Sequence, residues 1–284
     1  MLEPETDQQQ RKNLADTLKQ LRKAAGLSGE RLAARTAMSQ SKISRIESGR
    51  VLPTVADVER IMKALDVPPG AREELLSLTR SANVEYTSLR TAARLGIWRS
   101  QAEIKALAES SSTIRQFLPA IPSGLIQTPE YARAVLTPEV EGRPARDVDR
   151  AVQARLDSQG ALNDESRQFS FLLTEQAVRV KPAAESVMVD QVRHMIAVSR
   201  RPNVELSILP GRALIGAAPL NVFVVYDDRL VTTEIFAGKV VLRDYRDIAY
   251  HLNLFEHFRE RAASGEGARE ILESIADEFM RVRD

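Results

Sequence analysis

In the stretch Met38-Ser39-Gln40-Ser41-Lys42-Ile43-Ser44-Arg45-Ile46-Glu47-Ser48-Gly49-Arg50, amide, hydroxyl and guanidinium side chains alternate with two isoleucines. Wound at 100° per residue, Ile43 and Ile46 fall on one side, and Gln40, Ser41, Ser44 and Arg45 fall on the other. The polar set has a definite chemistry. A Gln amide matches the N6/N7 edge of adenine and an Arg fork matches O6/N7 of guanine, both displayed in the major groove of DNA. Ser39 is placed to cap the first turn, Gly49 to stop the helix in a left-handed conformation, and Arg50 follows directly. The stretch therefore reads as a short DNA-reading helix. Any solvated helix face can carry the same residue types, so the flanking elements must decide.

Those elements are short amphipathic helices. Residues 1–10 are acidic and glutamine-rich and predict a polar, mobile tail. From Arg11 to Ala25, Leu14, Leu18, Leu21 and Ala25 recur at three- and four-residue spacing, which predicts a helix that Gly26 ends. Ser28 caps a second helix with Leu32, Ala33 and Thr36 turned inward, and Ala37-Met38 forms the turn into the stretch above. Thr54 with Asp57 makes a capping-box start for a helix striped by Val58, Ile61, Met62 and Leu65, and Pro68-Pro69-Gly70 closes the unit. Over residues 11–50 the cations Arg11, Lys12, Lys19, Arg22, Lys23, Arg31, Arg35, Lys42, Arg45 and Arg50 face only Asp16, Glu30 and Glu47. Such an excess suits a phosphate-facing surface, because phosphate neutralisation supplies most sequence-independent affinity for DNA.

Leu21-Arg22, Gly26-Leu27-Ser28, Leu32-Ala33, Ser39-Gln40, Ile43-Ser44, Ile46-Glu47-Ser48-Gly49 and Pro53-Thr54 together resemble an XRE-type helix-turn-helix of the phage-repressor (Cro-like) family. The resemblance implies base contacts from Gln40, Ser41, Ser44 and Arg45. It implies phosphate contacts from Ser28, Arg31, Ser39, Lys42 and Arg50, with Lys42 set off the reading face. It also implies an ion pair between Arg22 and Glu47; the competing reading is two independent surface charges. The family usually has Gln directly after the cap of the second helix, where this chain has Gly29, so one positioning contact is missing.

Downstream, helical character continues through Leu75, Leu76 and Leu78, and residues 81–97 read as an irregular linker. A helix is expected from Trp98 to Ile114, with Ile104, Leu107, Ala108, Ser111 and Ile114 on one face. Extended pieces broken by Pro119 and Pro122 follow, and then a helix capped by Thr128 with Pro129 at its first position. Further helices are expected over 146–162, 185–199, 245–261 and 267–283, and strands over 168–174, 204–209, 220–226, 230–236 and 240–242, with turns at Asp227-Asp228 and Gly238-Lys239. The expectation is an α+β chain: a tail over 1–10, an all-α DNA-binding bundle over 11–80, the linker over 81–97, and a larger α+β domain over 98–284 with a mainly antiparallel sheet.

Gly124-Leu125-Ile126-Gln127-Thr128-Pro129-Glu130-Tyr131-Ala132-Arg133-Ala134-Val135-Leu136 is similar to the characteristic motif of WhiJ-like actinobacterial regulators. These are antitoxin-like proteins that join an XRE helix-turn-helix to a C-terminal domain of formerly unknown function. The usual form has proline directly before the glycine, whereas Ser123 intervenes here. The match extends more weakly through 171–179, 189–192 and 203–210. It implies a C-terminal domain that binds a small partner protein, often encoded nearby. Gln127, Tyr131 and Arg133 are the candidate partner or ligand residues; a solvated helix face with Tyr131 packed down accounts for them equally well.

Much chemistry is excluded or unsupported. The 284 residues contain no cysteine, which removes disulfides, thiolate metal sites and cysteine nucleophiles. The 40 Lys and Arg nearly balance the 39 Asp and Glu, so the basic excess is local to the N-terminal region. No apolar run approaches the roughly 20 residues of a membrane span, and the polar N-terminus lacks a signal-peptide core, so a cytoplasmic protein is expected. His194, His251 and His257 are the only histidines, and the latter two, six residues apart, lack the i, i+4 spacing of a metal pair. The 211–216 loop lacks a phosphate-binding lysine and a dinucleotide glycine pattern. No metal, cofactor or catalytic set is expected. The expectation is a sequence-specific transcriptional regulator, not an enzyme, that binds an inverted repeat of double-stranded DNA as a homodimer. Alternatives are a small-molecule effector domain, or an enzyme joined to a DNA-binding module.

Overall fold

The computed structural model describes residues 4–95, 104–137, 140 and 147–281. The chain forms two compact units. The first comprises Met1–Tyr86 and Val241–Asp247, and the second comprises Thr87–Val240 and Ile248–Asp284.

The first unit is a helical bundle: α1 (Pro4–Ala24), α2 (Gly29–Thr36), α3 (Gln40–Glu47), α4 (Val55–Ala64) and α5 (Pro69–Ala82). Helix α1 starts at Pro4, inside the stretch expected as a tail; proline suits a first helical position because its missing N–H would have no helical partner there. Leu14 and Leu18 of α1, Leu32 of α2, Ile43 and Ile46 of α3, Val58, Ile61 and Met62 of α4, and Leu75 and Ala82 of α5 share one core. Pro68-Pro69-Gly70 does not close the bundle. It starts α5, which returns to the same core.

Two segments were not legible as such. Residues 84–95, expected within a linker, form strand β1 (Val84–Ser88) and helix α6 (Leu89–Leu95). Strand β1 exists because it is paired from far away: Arg243 N–H donates to Asn83 O (3.1 Å) at one end and Leu89 N–H to Ala237 O (2.8 Å) at the other. Local sequence carries no trace of such non-local pairing. In the first unit, residues 241–247 add ion pairs from Arg243 to Glu85 and from Arg246 to Glu59, and Asp244 is buried.

The second unit is built on strands β2 (Thr113–Leu118), β3 (Gln168–Thr174), β4 (Val204–Leu209), β5 (Val222–Tyr226), β6 (Leu230–Ile235), β7 (Gly238–Leu242) and the two-residue β8 (Ala263–Ser264). With β1 they form an eight-stranded mixed sheet in the order β1-β7-β6-β5-β2-β3-β4-β8. Its centre is parallel, β2 with β3 and β3 with β4, and it is flanked by the antiparallel pairs β2–β5, β5–β6 and β4–β8. The parallel pairs require helical crossovers. Helices α7 (Pro129–Leu136) and α8 (Val148–Ser158) connect β2 to β3, and α9 (Glu175–Arg179) and α10 (Glu185–Val198) connect β3 to β4. One face of the sheet, with Ile114, Phe169, Phe171, Leu206 and Ile208, packs on α10 and α12 (Gly265–Arg281). On the other, Phe117 stacks on Phe258 of α11 (Tyr245–Arg259), with ring centroids 4.5 Å apart.

Two positions differ from expectation. Ile114 belongs to β2 rather than to a helix: the helical stretch over 104–109 ends at a turn, and residues 113–118 instead satisfy their backbone groups between β3 and β5. The expected helix start at Trp98, like Arg146 and Arg283 at other expected ends, lies outside the described residues. Gly238 is the first residue of β7, not a turn residue. An added Cβ there would lie 2.1 Å from Thr87 O, so glycine is required by close backbone approach. Asp227, at φ 53°, does form a turn, and its carboxylate accepts from the N–H groups of Ser112 (2.9 Å) and Thr113 (2.8 Å).

Candidate nucleic-acid interface

Helix α3 is fixed on its inner face by burial. Ile43 and Ile46 are 1% and 0% exposed, each contributing about 1.5–3 kcal/mol by leaving water. Ser39 Oγ accepts from Lys42 N–H (3.2 Å) at the start. At the end Gly49, at φ 70°, turns the chain so that Arg50 N–H and Val51 N–H both reach Arg45 O (2.9 and 3.1 Å). Gln40, Ser41, Ser44 and Arg45 are exposed along the opposite face, as are Ser39 and Arg50 at its ends. Arg45 Nε rests on Ser41 O (3.3 Å), with the rest of its guanidinium in solvent. Ser28 and Arg31 are also exposed, and Ser28 Oγ caps α2 by accepting from Arg31 N–H (3.2 Å).

Two ion pairs set the orientation of α3. Arg22 donates through Nε and Nη2 to the two carboxylate oxygens of Glu47 (2.6 and 2.7 Å) and through Nη1 to Leu27 O (2.7 Å). The bond to Glu47, working against desolvation, raises the guanidinium pKa above its ordinary value. Lys42, read from sequence as a phosphate contact, donates to Asp57 Oδ1 (2.8 Å), which ties the start of α3 to α4. Asp57 is itself held by the Thr54 capping box and by Arg60 (2.8 Å). Burial works to raise the Asp57 pKa, but hydrogen bonds from Lys42 and Thr54 outweigh it and hold the carboxyl below its usual value. Sequence reading found the box and missed the link, because Lys42 and Asp57 lie fifteen residues apart on different helices.

Between α1 and α3 lies a cleft of about 290 Å³, lined by Lys19, the Arg22–Glu47 pair, Gly29, Gln40 and Ser44. Lys19 was not singled out from sequence beyond the general basic excess.

In the second unit the Gly124-to-Arg133 motif is mostly interior. Gln127 and Tyr131 are 1% and 0% exposed, and therefore do not form a partner surface. Arg133 is exposed but bonded to Asp149 (2.6 Å). Gln127 donates to Pro122 O (2.7 Å) and accepts from Arg155 Nη1 (2.7 Å). Gln159 donates to the carbonyls of Gly124 and Gln127 (3.0 and 2.8 Å), while Gln191 donates to Ile126 O (2.7 Å) and accepts from Thr128 N–H (2.8 Å). A Cβ at Gly124 would lie 3.1 Å from the Arg155 side chain, a tight approach that Arg155 would have to relieve by shifting. Ser123 is buried and caps the turn at Gly124–Ile126 by accepting from Leu125 N–H. These amides satisfy the carbonyls of a loop sunk into the core. Among the described residues Tyr131 Oη has no hydrogen-bond partner, and burial pushes its pKa up.

Residues 101–274, more than half of the chain, match the family model described as Domain of unknown function (DUF5753). The chain belongs to this DUF5753 family. Ahead of the DUF5753 domain, residues 13–75 match a model described as Helix-turn-helix domain, which begins within α1, covers α2 to α4 and ends within α5. No curated protein matches the chain in sequence. Among solved structures it is similar to NucT from Helicobacter pylori, at 8% identity and TM-score 0.39 over 64% of this chain and 98% of that one. It is also similar to TrmBL2, an archaeal chromatin protein, at 18% identity and TM-score 0.31 over 72% of this chain and 65% of that one. A third, Nuc from Salmonella typhimurium, a phospholipase D family member, aligns at 7% identity and TM-score 0.35 over 58% and 90% of the two chains. At these TM-scores the likenesses carry no argument about what the DUF5753 protein does. Among its described residues no group of three or more His, Cys, Asp or Glu side chains is placed to hold a metal ion, and no helix is long and apolar enough to cross a membrane.

Proposed function

We propose that the chain is a sequence-specific transcriptional regulator, not an enzyme, that acts in the cytoplasm as a homodimer on an inverted repeat. The observation that carries this is α3 itself: Gln40, Ser41, Ser44 and Arg45 stand exposed on a helix whose other face is buried and whose orientation is fixed by two ion pairs. A rigid helix presenting donors and forks to solvent is what major-groove reading requires. A dimer is proposed because one short helix reads too few base pairs. Ser28, Arg31, Ser39 and Arg50 supply the phosphate contacts.

The DUF5753 domain, in this reading, binds a small partner protein, as its resemblance to the WhiJ-like, antitoxin-like regulators implies. Buried Gln127 and Tyr131 do not serve that role. Exposed apolar residues support another surface: Leu220 and Phe236 are 79% and 105% exposed, and the Val222–Glu234 register brings them to the same end of the β5–β6 pair.

Selection of the full-length chain against a randomised duplex library, with sedimentation of the complex, tests the proposal. The expected result is enriched sites with two half-sites spaced about one helical turn, roughly 34 Å, and two chains per site. No enriched sequence would overturn DNA reading; one chain on one asymmetric site would overturn the dimer.

A further inference from the structure

The sheet face that carries Ile114, Phe169 and Phe171 also gathers polar side chains over its antiparallel half. Gln116 of β2 stands opposite Val224 of β5, and Val224 stands opposite Thr232 of β6. In the neighbouring rows Val222 stands opposite Glu234, and Tyr226 opposite Leu230. Strand alternation puts Gln116, Tyr226, Thr232 and Glu234 on this one face, with Val222 and Val224, both partly buried, as an apolar floor between them. Gln116, Thr232 and Tyr226 are 5%, 7% and 2% exposed. A side-chain amide sunk that far is ordinarily bonded. Among the described residues Gln116 makes no hydrogen bond, yet its amide is not sealed from water, so its polar end keeps a little open surface. The Tyr226 hydroxyl lies beside Thr232 and within reach of the Glu234 charge. Burial and that charge push its pKa up to about 12, against the pull of Thr232, so the hydroxyl stays a donor. Glu234 is exposed at the rim, and among the described residues no cation is paired with it.

We infer that this patch binds a small amine whose apolar body carries a second hydrogen-bonding group at its far end. The only formal charge among the converging groups is the Glu234 carboxylate, which attracts an ammonium and repels an anion. The Tyr226 ring adds an aromatic surface that favours a cation, and the two valines take the apolar body. Gln116, with a donor and an acceptor both unused, meets the far group. Two strand spacings separate Gln116 from Thr232, roughly 10 Å, which is the length of one aromatic ring with a short tail.

The test is titration of the full-length, valine-methyl-labelled chain with four probes, read at the methyl signals of Val222 and Val224. Tyramine, tyrosol and para-hydroxyphenylacetate share one frame and end in an ammonium, a hydroxyl and a carboxylate; phenethylamine is tyramine without the ring hydroxyl. Tyramine should shift both valines saturably, tyrosol should bind more weakly, and the carboxylate should not bind. Glu234→Gln should weaken tyramine by roughly 2- to 5-fold and bring it level with tyrosol. Gln116→Leu removes an unbonded buried amide, so it should melt at or above the wild-type temperature. It should weaken tyramine by roughly 2- to 12-fold, the value of one hydrogen bond, and leave phenethylamine unchanged. No saturable shift at Val222 and Val224, equal binding of the carboxylate, or tyramine binding indifferent to both substitutions overturns the inference. None of these outcomes bears on DNA reading.

Discussion

Arg22 holds Glu47 in a fork-to-fork pair, two nitrogens on two oxygens at 2.6 and 2.7 Å, with side chains only 13% and 10% exposed. Twenty-five residues apart in sequence, the two tie α1 to the last turn of α3. Planar bidentate geometry fixes direction as well as distance. Removing one partner leaves the other charge largely shielded from water and uncompensated. Glu47→Ala should destabilise α3 by about 1–3 kcal/mol, read as faster amide exchange in α1 and α3. Exchange in these helices equal to wild type would mean the pair is ornamental to stability.

Arg45 should contribute differently. Its guanidinium is exposed and anchored only through Nε to Ser41 O, so Arg45→Ala leaves the fold intact. The expected loss is about 1–3 kcal/mol on a selected site, with relaxed preference at one base position. An equal loss on random DNA would make Arg45 a phosphate contact instead.

Asp57 gives the bundle a signature in acid. Its folded pKa lies below the ordinary value of 3.8, so its contribution is fully present above the unfolded pKa and is lost as pH falls through the folded one. Stability of the first unit should therefore decline below about pH 4. Asp57→Asn should flatten that decline. Superimposable acid titrations of the two proteins, followed through α4 amide exchange, would contradict the assignment.

In the DUF5753 domain, two residues of one motif should respond in opposite directions. Gln127→Ala removes the side-chain donor to Pro122 O and one hydrogen bond of Arg155, and should cost about 1–3 kcal/mol. Tyr131→Phe removes a buried hydroxyl that has no partner among the described residues and should be neutral or stabilising. Thermal melts of the full chain separate the two; a large destabilisation from Tyr131→Phe would show that the hydroxyl is bonded in solution.

Gly238→Ala should be among the most damaging single-methyl additions in the chain. Its Cβ would fall 2.1 Å from Thr87 O and 2.9 Å from Ser88 Cα, backbone atoms that cannot rotate away. We expect a loss above about 3 kcal/mol, seen as lost soluble yield or a lowered melting temperature.

The helix-turn-helix was legible because its signals are local. Ser28, Ser39 and Thr54 announce helix starts within three residues of the groups they cap, and Ile43 and Ile46 mark the buried face by spacing alone. Strand β3 was legible over its full length for the same reason. What escaped was non-local. Lys42 reads as a free cation until Asp57 is brought beside it. Tyr131 and Gln127 read as a polar helix start until the loop before them sinks into the core. Ile114 continued a helical period that ended where β3 and β5 offered backbone partners. The parallel centre of the sheet was equally hidden, since strand direction depends on crossovers rather than on the strands themselves.

Because Val241–Asp247 belongs to the same unit as the helices that open the chain, that unit is discontinuous in the gene. A ribosome adding about 5–20 residues per second delivers Val241 roughly 8 to 31 s after Tyr86. During that interval the nascent DNA-binding bundle has its recognition helix but lacks the segment carrying Arg243, Asp244 and Arg246. Order of synthesis thus delays completion of the first unit until most of the DUF5753 domain has been made, and a premature stop within that domain leaves the first unit without its last segment.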